Sequence, residues 1–222
     1  FVHAGVENNA RVNIEWVQTE KIKNFLLAKN MFSKVNGILI LPGFGKRGVE
    51  GKIKAAEYAR KNKTPFLGIC LGLQCAVIEF ARNVCGLDKA NSVEFDKNTK
   101  YPVIDLMESQ RAIKIKGGTM RLGAYGCDIK VGTRIYAAYR KKKISERHRH
   151  RYEVNNRYRN KLESNGLIFS GINKELGVVE AVEIKNHPWY VAGQFHPELK
   201  SRVNKAHPLF REFIKASLRQ LS

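Results

Sequence analysis

A cysteine between two glycines is the feature of this sequence that most directly suggests chemistry. Residues 66–69 form a short apolar run, Gly68 and Gly72 lie two residues either side of Cys70, and a helical pattern begins at Leu71. Strand, G-x-C-x-G turn and helix in this order are typical of a nucleophile elbow, which presents its side chain at the carboxyl end of a sheet. The helix dipole favours a thiolate at Cys70. The Leu71 backbone N–H, free of an intrahelical partner, is available to an oxyanion.

A base for this cysteine is found near the end of the chain. Cys70 could instead be a small buried residue beside a tight turn. If it is a nucleophile, it needs a base, and that base needs a group to orient it. Residues 194–198 (QFHPE) supply both after a predicted strand. His196 and Glu198 are two residues apart and so share one side of an extended chain, while Pro197 disfavours a helix there. We therefore predict a catalytic triad of Cys70, His196 and Glu198.

Strands and helices alternate in the first half of the chain. This alternation predicts an α/β fold with a mostly parallel central sheet flanked by helices. Apolar runs and 3.6-residue periodicity predict strands at residues 11–18, 37–41 and 64–69 and helices at residues 49–62 and 71–83. Thr19 is the predicted N-cap of a further helix that begins at Glu20.

The second half predicts a smaller antiparallel region. Short strands separated by glycine-containing turns are predicted at residues 112–115, 126–131, 134–139, 167–170, 178–184 and 190–195, followed by a closing helix at residues 208–218. No internal repeat or linker divides the chain, so we assign all 222 residues to one domain.

Composition limits the classes of protein to consider. The four cysteines show no CxxC spacing, which favours packing roles and a reducing, cytoplasmic setting. No apolar stretch reaches the length of a membrane span, and no segment has the pattern of a secretory signal. A net charge of +20 permits binding to nucleic acid, but the basic residues are dispersed and the dense run at residues 139–151 matches no nucleic-acid motif. We predict a mostly solvated basic surface, with a subunit- or nucleotide-facing surface as the alternative.

Several segments together resemble one known family. The pairing of GICLG (68–72) with QFHPE (194–198) is similar to the class I (triad) glutamine amidotransferases, whose fold is flavodoxin-like. More narrowly, RGVEGK (47–52), NSVEF (91–95), GGTMRLG (117–123), ERHRHRYEVN (146–155), NHPW (186–189) and HPLF (207–210) resemble the glutaminase domain of CTP synthases. The resemblance extends over about residues 12–217, and GGTMRLG with HRHR is its most specific part.

The resemblance implies hydrolysis of the side-chain amide of L-glutamine through a cysteinyl thioester. Cys70 would attack the carboxamide carbon, His196 would protonate the leaving ammonia and then activate water, and Glu198 would hold the imidazole. Backbone N–H groups of Gly43 and Leu71 would form the oxyanion hole. The positions that match the family's glutamine-binding residues are Phe44, Gln74, Glu94, Arg151 and Tyr152.

The same resemblance implies partners outside this chain. The ammonia would pass to a CTP synthase amidoligase domain that aminates UTP with ATP and Mg, while the glutaminase domain itself would hold no cofactor. GTP would be the allosteric effector, with Arg47, Gly117 and Gly118 in the lid and effector region. The full-length protein would be a homotetramer.

The sequence also departs from the family's pattern. The family has P-G-G-F-G where this chain reads Pro42-Gly43-Phe44-Gly45, and loss of a glycine would reshape the oxyanion loop. The family's first strand and its amidoligase domain are expected outside residues 1–222. Two alternatives therefore stay open: the glutaminase of another triad amidotransferase, and a catalytically impaired regulatory module of this fold.

Overall fold

A computed structural model describes residues 1–106 and 120–220. The described residues contain helices α1 (Val2–Glu7), α2 (Phe25–Phe32), α3 (Val49–Asn62), α4 (Leu71–Asn83), α5 (Arg134–Tyr139), α6 (Arg159–Ser164) and α7 (Pro208–Leu218). The strands are β1 (Ile38–Ile40), β2 (Phe66–Ile69), β3 (Ala90–Ser92), β4 (Tyr101–Leu106), β5 (Arg121–Ile129), β6 (Lys143–His150), β7 (Tyr152–Val154), β8 (Leu167–Asn173), β9 (Val178–Ile184) and β10 (Tyr190–Gly193). Short 3-10 turns lie at Thr19–Lys21, Asn156–Tyr158 and Pro197–Leu199.

A seven-stranded mixed sheet forms the centre of the fold. Its strand order is β1-β2-β10-β9-β8-β5-β6, and β3, β4 and β7 form a second, smaller sheet. Strands β1 and β10 run parallel to β2, whereas β10–β9, β9–β8, β8–β5 and β5–β6 pair antiparallel. The predicted α/β class with flanking helices is confirmed. Parallel pairing in the large sheet is confined to β1, β2 and β10, because four strands of the second half join this sheet by antiparallel pairing.

Both faces of the sheet are covered. Along β2, Phe66 belongs to a hydrophobic cluster with α3 and α4 residues, and its neighbour Leu67 belongs to a second cluster with α7 residues. Successive side chains of a strand point to opposite faces, so β2 is buried on both. This explains why β2 is a continuous apolar run in the sequence.

The structure confirms three predicted helices with the same first and last residues, at 49–62, 71–83 and 208–218. Helix α3 lies between Gly48 and Lys63, both of which adopt positive φ. Helix α7 has Pro208 in its first turn, and the preceding His207 accepts a hydrogen bond from the Leu209 backbone N–H through its side chain. These are common signals of helix ends.

Three other predictions about elements are wrong. Residues 11–18 pair with no strand among the described residues, and Trp16 is 79% exposed. Residues 19–21 form only a 3-10 turn, and the next helix begins at Phe25 with Asn24 as its N-cap. Residues 134–139 form helix α5 and not a strand. The predicted strand at residues 112–115 lies outside the described residues.

Helix α5 forms because side chains accept hydrogen bonds from the backbone N–H groups of its first turn. The Thr133 hydroxyl oxygen accepts from the Tyr136 backbone N–H at 3.2 Å. The buried Glu183 carboxylate accepts from the backbone N–H groups of Arg134 and Ile135 at 3.0 and 3.4 Å. A carboxylate at a helix N-terminus also stabilises the helix dipole. The Glu183 partner lies about fifty positions away in sequence, which makes this stabilisation invisible to local patterns.

The dense basic run contains an edge strand. In β6 the side chains alternate, with Arg147 and Arg149 exposed and Glu146, His148 and His150 buried. The predicted solvated basic surface therefore describes only the outer side of this strand.

The four cysteines are buried free thiols. Burial raises the pKa of the Cys75 thiol to about 12 and raises that of Cys85 and of Cys127. No helix of the described residues has both the length and the apolar character required to cross a membrane.

His187 gives the fold a specific sensitivity to acid. Its Nε2 donates to the Ala59 carbonyl at 2.9 Å, its Nδ1 accepts from the Trp189 N–H at 3.2 Å, and burial lowers its pKa from 6.5 to about 4. Because the folded-state pKa is lowered, the contribution to stability is present above pH 6.5 and is lost as pH falls toward 4. We expect this residue to account for about 2 kcal/mol of the decrease in unfolding free energy between pH 7 and pH 5. Urea denaturation at both pH values should show a correspondingly smaller decrease in His187→Gln, and an equal decrease would contradict the assignment.

Candidate active site

Cys70 occupies a strained turn between β2 and α4. Its backbone has φ +54° and ψ −102°, outside the regions that non-glycine residues usually adopt. A Cβ on Gly68 would lie 2.7 Å from the Gly72 carbonyl carbon, and a Cβ on Gly72 would lie 2.5 Å from the Ile40 carbonyl oxygen. Both glycines are therefore required for close backbone approach, as in a nucleophile elbow.

Backbone hydrogen bonds fix the QFHPE segment, and Gly193 just before it, to three other parts of the fold. The Cys70 N–H donates to the Gly193 carbonyl at 2.8 Å. The next residue, Gln194, donates through its backbone N–H to the Glu180 carbonyl of β9 at 2.8 Å. The His196 N–H donates to the Arg147 carbonyl of β6, also at 2.8 Å. This segment is held on rigid strands, as a precise site requires.

His196 and Glu198 form a direct hydrogen bond. The distance from His196 Nδ1 to Glu198 Oε1 is 2.6 Å, so Nδ1 donates to the carboxylate and Nε2 is the remaining nitrogen. His196 Nε2 is buried and has no hydrogen-bond partner among the described residues. The prediction that Pro197 prevents a helix is wrong, because Pro197 starts a 3-10 turn, in which its missing N–H costs nothing.

Burial dominates the electrostatics of the Cys70 thiol. Cys70 is 2% exposed, and this burial raises the pKa of the thiol to about 12, with a further increase from the Glu198 carboxylate. The Leu71 N–H lowers this pKa, as expected at the start of a helix, but burial outweighs it. Burial therefore opposes the predicted thiolate, and we expect a base to remove the proton.

The shortened glycine loop packs against the elbow. A Cβ on Gly43 would lie 3.3 Å from Leu71 Cδ2, so the two residues predicted to form the oxyanion hole are neighbours. The Gly45 N–H donates to Glu94 Oε1 at 2.7 Å, and Gly45 adopts φ +71°. The loop is thus anchored at its far end by a residue predicted to bind glutamine.

The residues predicted to bind glutamine lie around this anchor. Gln74 is buried and donates from Nε2 to the Tyr152 carbonyl at 3.2 Å. Burial raises the pKa of Glu94, while its hydrogen bond from Gly45 and the nearby Arg151 guanidinium lower it. The Glu94 and Arg151 charges also act in opposite directions on the pKa of Tyr152. Phe44, in the glycine loop, is 53% exposed.

Arg47, which is predicted for the effector region, is not part of this cluster. The Arg47 side chain is 90% exposed and donates to Glu20 at 2.5 Å. Gly117 and Gly118 lie outside the described residues.

A buried ion network lies behind the QFHPE segment and was not predicted. Arg121 donates to Glu153 at 2.9 Å and to Glu180 at 2.7 Å, and His148 Nδ1 lies 2.8 Å from His150 Nε2. Burial raises the pKa of Glu153 to about 8, lowers that of His148 to about 3 and lowers that of His150 well below 6.5, which favours the neutral form of both histidines. The alternation in HRHR was the available signal, because one side of an edge strand faces the interior.

Comparison with known proteins places this geometry in a family. Residues 1–216 match the model of the family Glutamine amidotransferase class-I. The chain belongs to the class I glutamine amidotransferases. Among the described residues of this amidotransferase, no group of three or more His, Cys, Asp or Glu side chains could hold a metal ion.

Relatives of this amidotransferase chain include bacterial CTP synthases. The CTP synthase of Pelodictyon phaeoclathratiforme is 57% identical over 219 residues, which cover 98% of this chain and 39% of the relative. That of Caldanaerobacter subterraneus subsp. tengcongensis is 56% identical over 216 residues, covering 97% of this chain and 40% of the relative. The chain thus spans about two fifths of the length of these relatives.

Solved structures support the same grouping. The glutaminase domain of Trypanosoma brucei CTP synthase with bound acivicin superposes with a TM-score of 0.92 at 35% identity, covering 98% of this amidotransferase chain and 84% of that one. A glutamine amidotransferase from Thermotoga maritima has a TM-score of 0.54 at 12% identity, covering 98% of this chain and 89% of that one, which is a likeness of fold alone. Within the family, the chain corresponds to the glutaminase domain of CTP synthases.

Proposed function

We propose that this chain hydrolyses the side-chain amide of L-glutamine to glutamate and ammonia through a thioester on Cys70. The observation that carries the proposal is the His196–Glu198 hydrogen bond at 2.6 Å beside the Cys70 elbow, with His196 Nε2 left without a partner among the described residues. A base oriented by a carboxylate next to a buried thiol is the arrangement that covalent amide hydrolysis needs.

The reaction follows from the chemistry of these groups. His196 Nε2 takes the proton from the Cys70 thiol as Sγ attacks the carboxamide carbon. The oxyanion of the tetrahedral intermediate accepts from the Gly43 and Leu71 N–H groups. The imidazolium then protonates the leaving nitrogen, and ammonia and a glutamyl thioester result. His196 next removes a proton from water, which attacks the thioester, and Cys70 leaves as the thiol.

Charged groups near the elbow would bind the amino-acid end of the substrate. The Glu94 carboxylate suits the α-ammonium group, and the Arg151 guanidinium suits the α-carboxylate. Gln74, Tyr152 and Phe44 complete the proposed glutamine site. The hydrogen bonds from the Gly45 N–H to Glu94 and from Gln74 to the Tyr152 carbonyl support this assignment.

Glu94→Gln tests this part of the proposal. The amide keeps an oxygen that can accept from the Gly45 N–H, so the loop stays anchored, but the negative charge is removed. Loss of a charge-assisted hydrogen bond to the α-ammonium group should raise KM for glutamine about 10- to 100-fold with a smaller change in kcat. Steady-state ammonia release gives both constants. An unchanged KM would remove Glu94 from the substrate site.

The ammonia would be consumed by the remaining part of a longer protein. Because the chain corresponds to two fifths of proteins named CTP synthase, we propose an amidoligase domain that aminates UTP with ATP and Mg. GTP would activate the glutaminase reaction, with Arg47, Gly117 and Gly118 at the effector region, and the full-length protein would be a homotetramer. The free thiols support a cytoplasmic location.

The first experiment is to measure glutamate and ammonia release from glutamine, together with acivicin labelling and mass spectrometry. Turnover with an adduct on Cys70 would support the whole proposal. An adduct without turnover would indicate a competent site that needs its synthase part and nucleotide. If a folded sample gave neither, the impaired-module alternative would replace the proposal, with the shortened loop at residues 42–45 as the suspected cause.

A further inference from the structure

Gln194 places a polar group against the sulfur of the proposed nucleophile. Its Nε2 lies 3.7 Å from Cys70 Sγ, within hydrogen-bond distance for sulfur. Its carboxamide oxygen Oε1 has no hydrogen-bond partner among the described residues, although the residue is 0% exposed. Within the part of the chain that the structure describes, the carboxamide therefore has one hydrogen-bond contact, and that contact is with the atom that reacts.

Backbone hydrogen bonds place Gln194 next to Cys70. The Gln194 N–H donates to the Glu180 carbonyl at 2.8 Å, and the preceding carbonyl, of Gly193, accepts from the Cys70 N–H at 2.8 Å. Gln194 and Cys70 are thus tied to each other through adjacent main-chain atoms. These bonds hold the two residues side by side, and the complete burial of the Gln194 side chain restrains its rotation.

The buried Gln194 carboxamide, considered only for its effect on folding, lowers the stability of the protein. An unsatisfied buried polar atom costs roughly 1–3 kcal/mol, whereas an apolar side chain of similar shape would not carry this cost. Methionine has a similar length and would fill the space without an unpaired acceptor. A carboxamide at this position therefore needs a compensating role, and the contact with Sγ supplies one.

The chemistry at Sγ defines that role. As the Cys70 thiol transfers its proton to His196, negative charge develops on a sulfur atom whose residue is only 2% exposed. A neutral N–H donor stabilises this charge without adding a formal charge of its own. We propose that Gln194 is a catalytic residue whose carboxamide N–H stabilises the anionic form of Cys70 Sγ during attack on the substrate. This inference rests on the proposed function of Cys70.

The test is the pH dependence of Cys70 alkylation in wild type, Gln194→Met and Gln194→Glu. The reagent is iodoacetamide, whose carboxamide resembles that of the substrate, and mass spectrometry locates the adduct. Without the donor, alkylation at pH 7.5 should be about tenfold slower, which corresponds to a rise of about one unit in the pKa of the thiol. Gln194→Glu should be slower again, because a carboxylate beside sulfur opposes the negative charge. For glutamine hydrolysis, kcat should fall about 10- to 100-fold with KM unchanged.

Ser170→Ala is the matched control. Ser170 is also fully buried with a side-chain oxygen that has no partner among the described residues, but it belongs to β8 and forms no hydrogen bond with Cys70. It should keep the wild-type profile. A wild-type profile in folded Gln194→Met or Gln194→Glu would overturn the inference. If wild-type Cys70 were not labelled, or if labelling did not stop turnover, the proposed function itself would fail, which is a different result.

Discussion

Cys70→Ser is expected to lower kcat for glutamine hydrolysis by roughly 10⁴- to 10⁶-fold, as removal of a nucleophile does in other hydrolases. Serine is close to cysteine in size, so the strained turn at φ +54° and the buried position are retained. Its hydroxyl is a far weaker acid and a poorer nucleophile than the thiol, and burial at this position raises the pKa of even the thiol. Ammonia release measures the effect, and circular dichroism with thermal unfolding checks the fold.

Cys75→Ser provides the comparison for that variant. Cys75 lies on helix α4, which begins directly after Cys70, is also buried, and has no part in the proposed reaction. We expect it to keep kcat and to lose only stability. Wild-type turnover by Cys70→Ser would show that another group attacks the amide and that the proposed mechanism is wrong.

Arg121→Met should produce the largest loss of stability. The variant would leave the Glu153 and Glu180 carboxylates buried without their common counterion. Removing one partner of a buried ion pair typically costs about 3–5 kcal/mol. Because burial holds the folded-state pKa of Glu153 at about 8, above its ordinary 4.5, the folded protein binds extra protons between these values. Stability attributable to this residue therefore falls as pH rises through that window, and without Arg121 it should fall further.

Chemical denaturation at pH 5 and pH 8 separates these contributions. The decrease in unfolding free energy that Arg121→Met causes relative to wild type should be larger at pH 8. At that pH, keeping the two carboxylates buried without a counterion costs more free energy, whether they stay ionised or take up a proton. Arg157→Met, at an exposed arginine, is the control and should lose less than about 0.5 kcal/mol. If the two variants had equal unfolding free energies, the buried network would be energetically irrelevant.

The sequence predicts best those elements whose signals are local. Helix α4 has a glycine-flanked start and an apolar stripe, and α7 has a proline in its first turn, so both bounds could be read directly. Helix α5 could not, because its N-terminus is stabilised by Glu183 from a distant strand. Residues 11–18 show the opposite error: an alternating pattern predicts a strand only where a neighbouring strand pairs with it.

The residues of the candidate site can likewise be divided into those that local motifs predict and those that depend on contacts distant in sequence. The G-x-C-x-G turn and the spacing of His196 and Glu198 are short motifs whose chemistry follows from residue type. Arg121 and Glu180, however, are 59 positions apart, and each would ordinarily be assigned to the solvated surface. Gln194 was visible in the motif, but its contact with sulfur depends on backbone bonds between three strands, which no local pattern encodes.

Strand β6 has a consequence for solubility. It is an edge of the seven-stranded sheet, and edge strands present unpaired backbone groups that can recruit another chain into an aggregate. Here the Arg147 carbonyl accepts from His196 and the Ser145 carbonyl accepts from Lys200 Nζ, while Arg147 and Arg149 project charge outward. The turn proposed to perform the chemistry thus also blocks part of the edge. Substitutions that release this turn should therefore promote self-association of the protein as well as inactivate it.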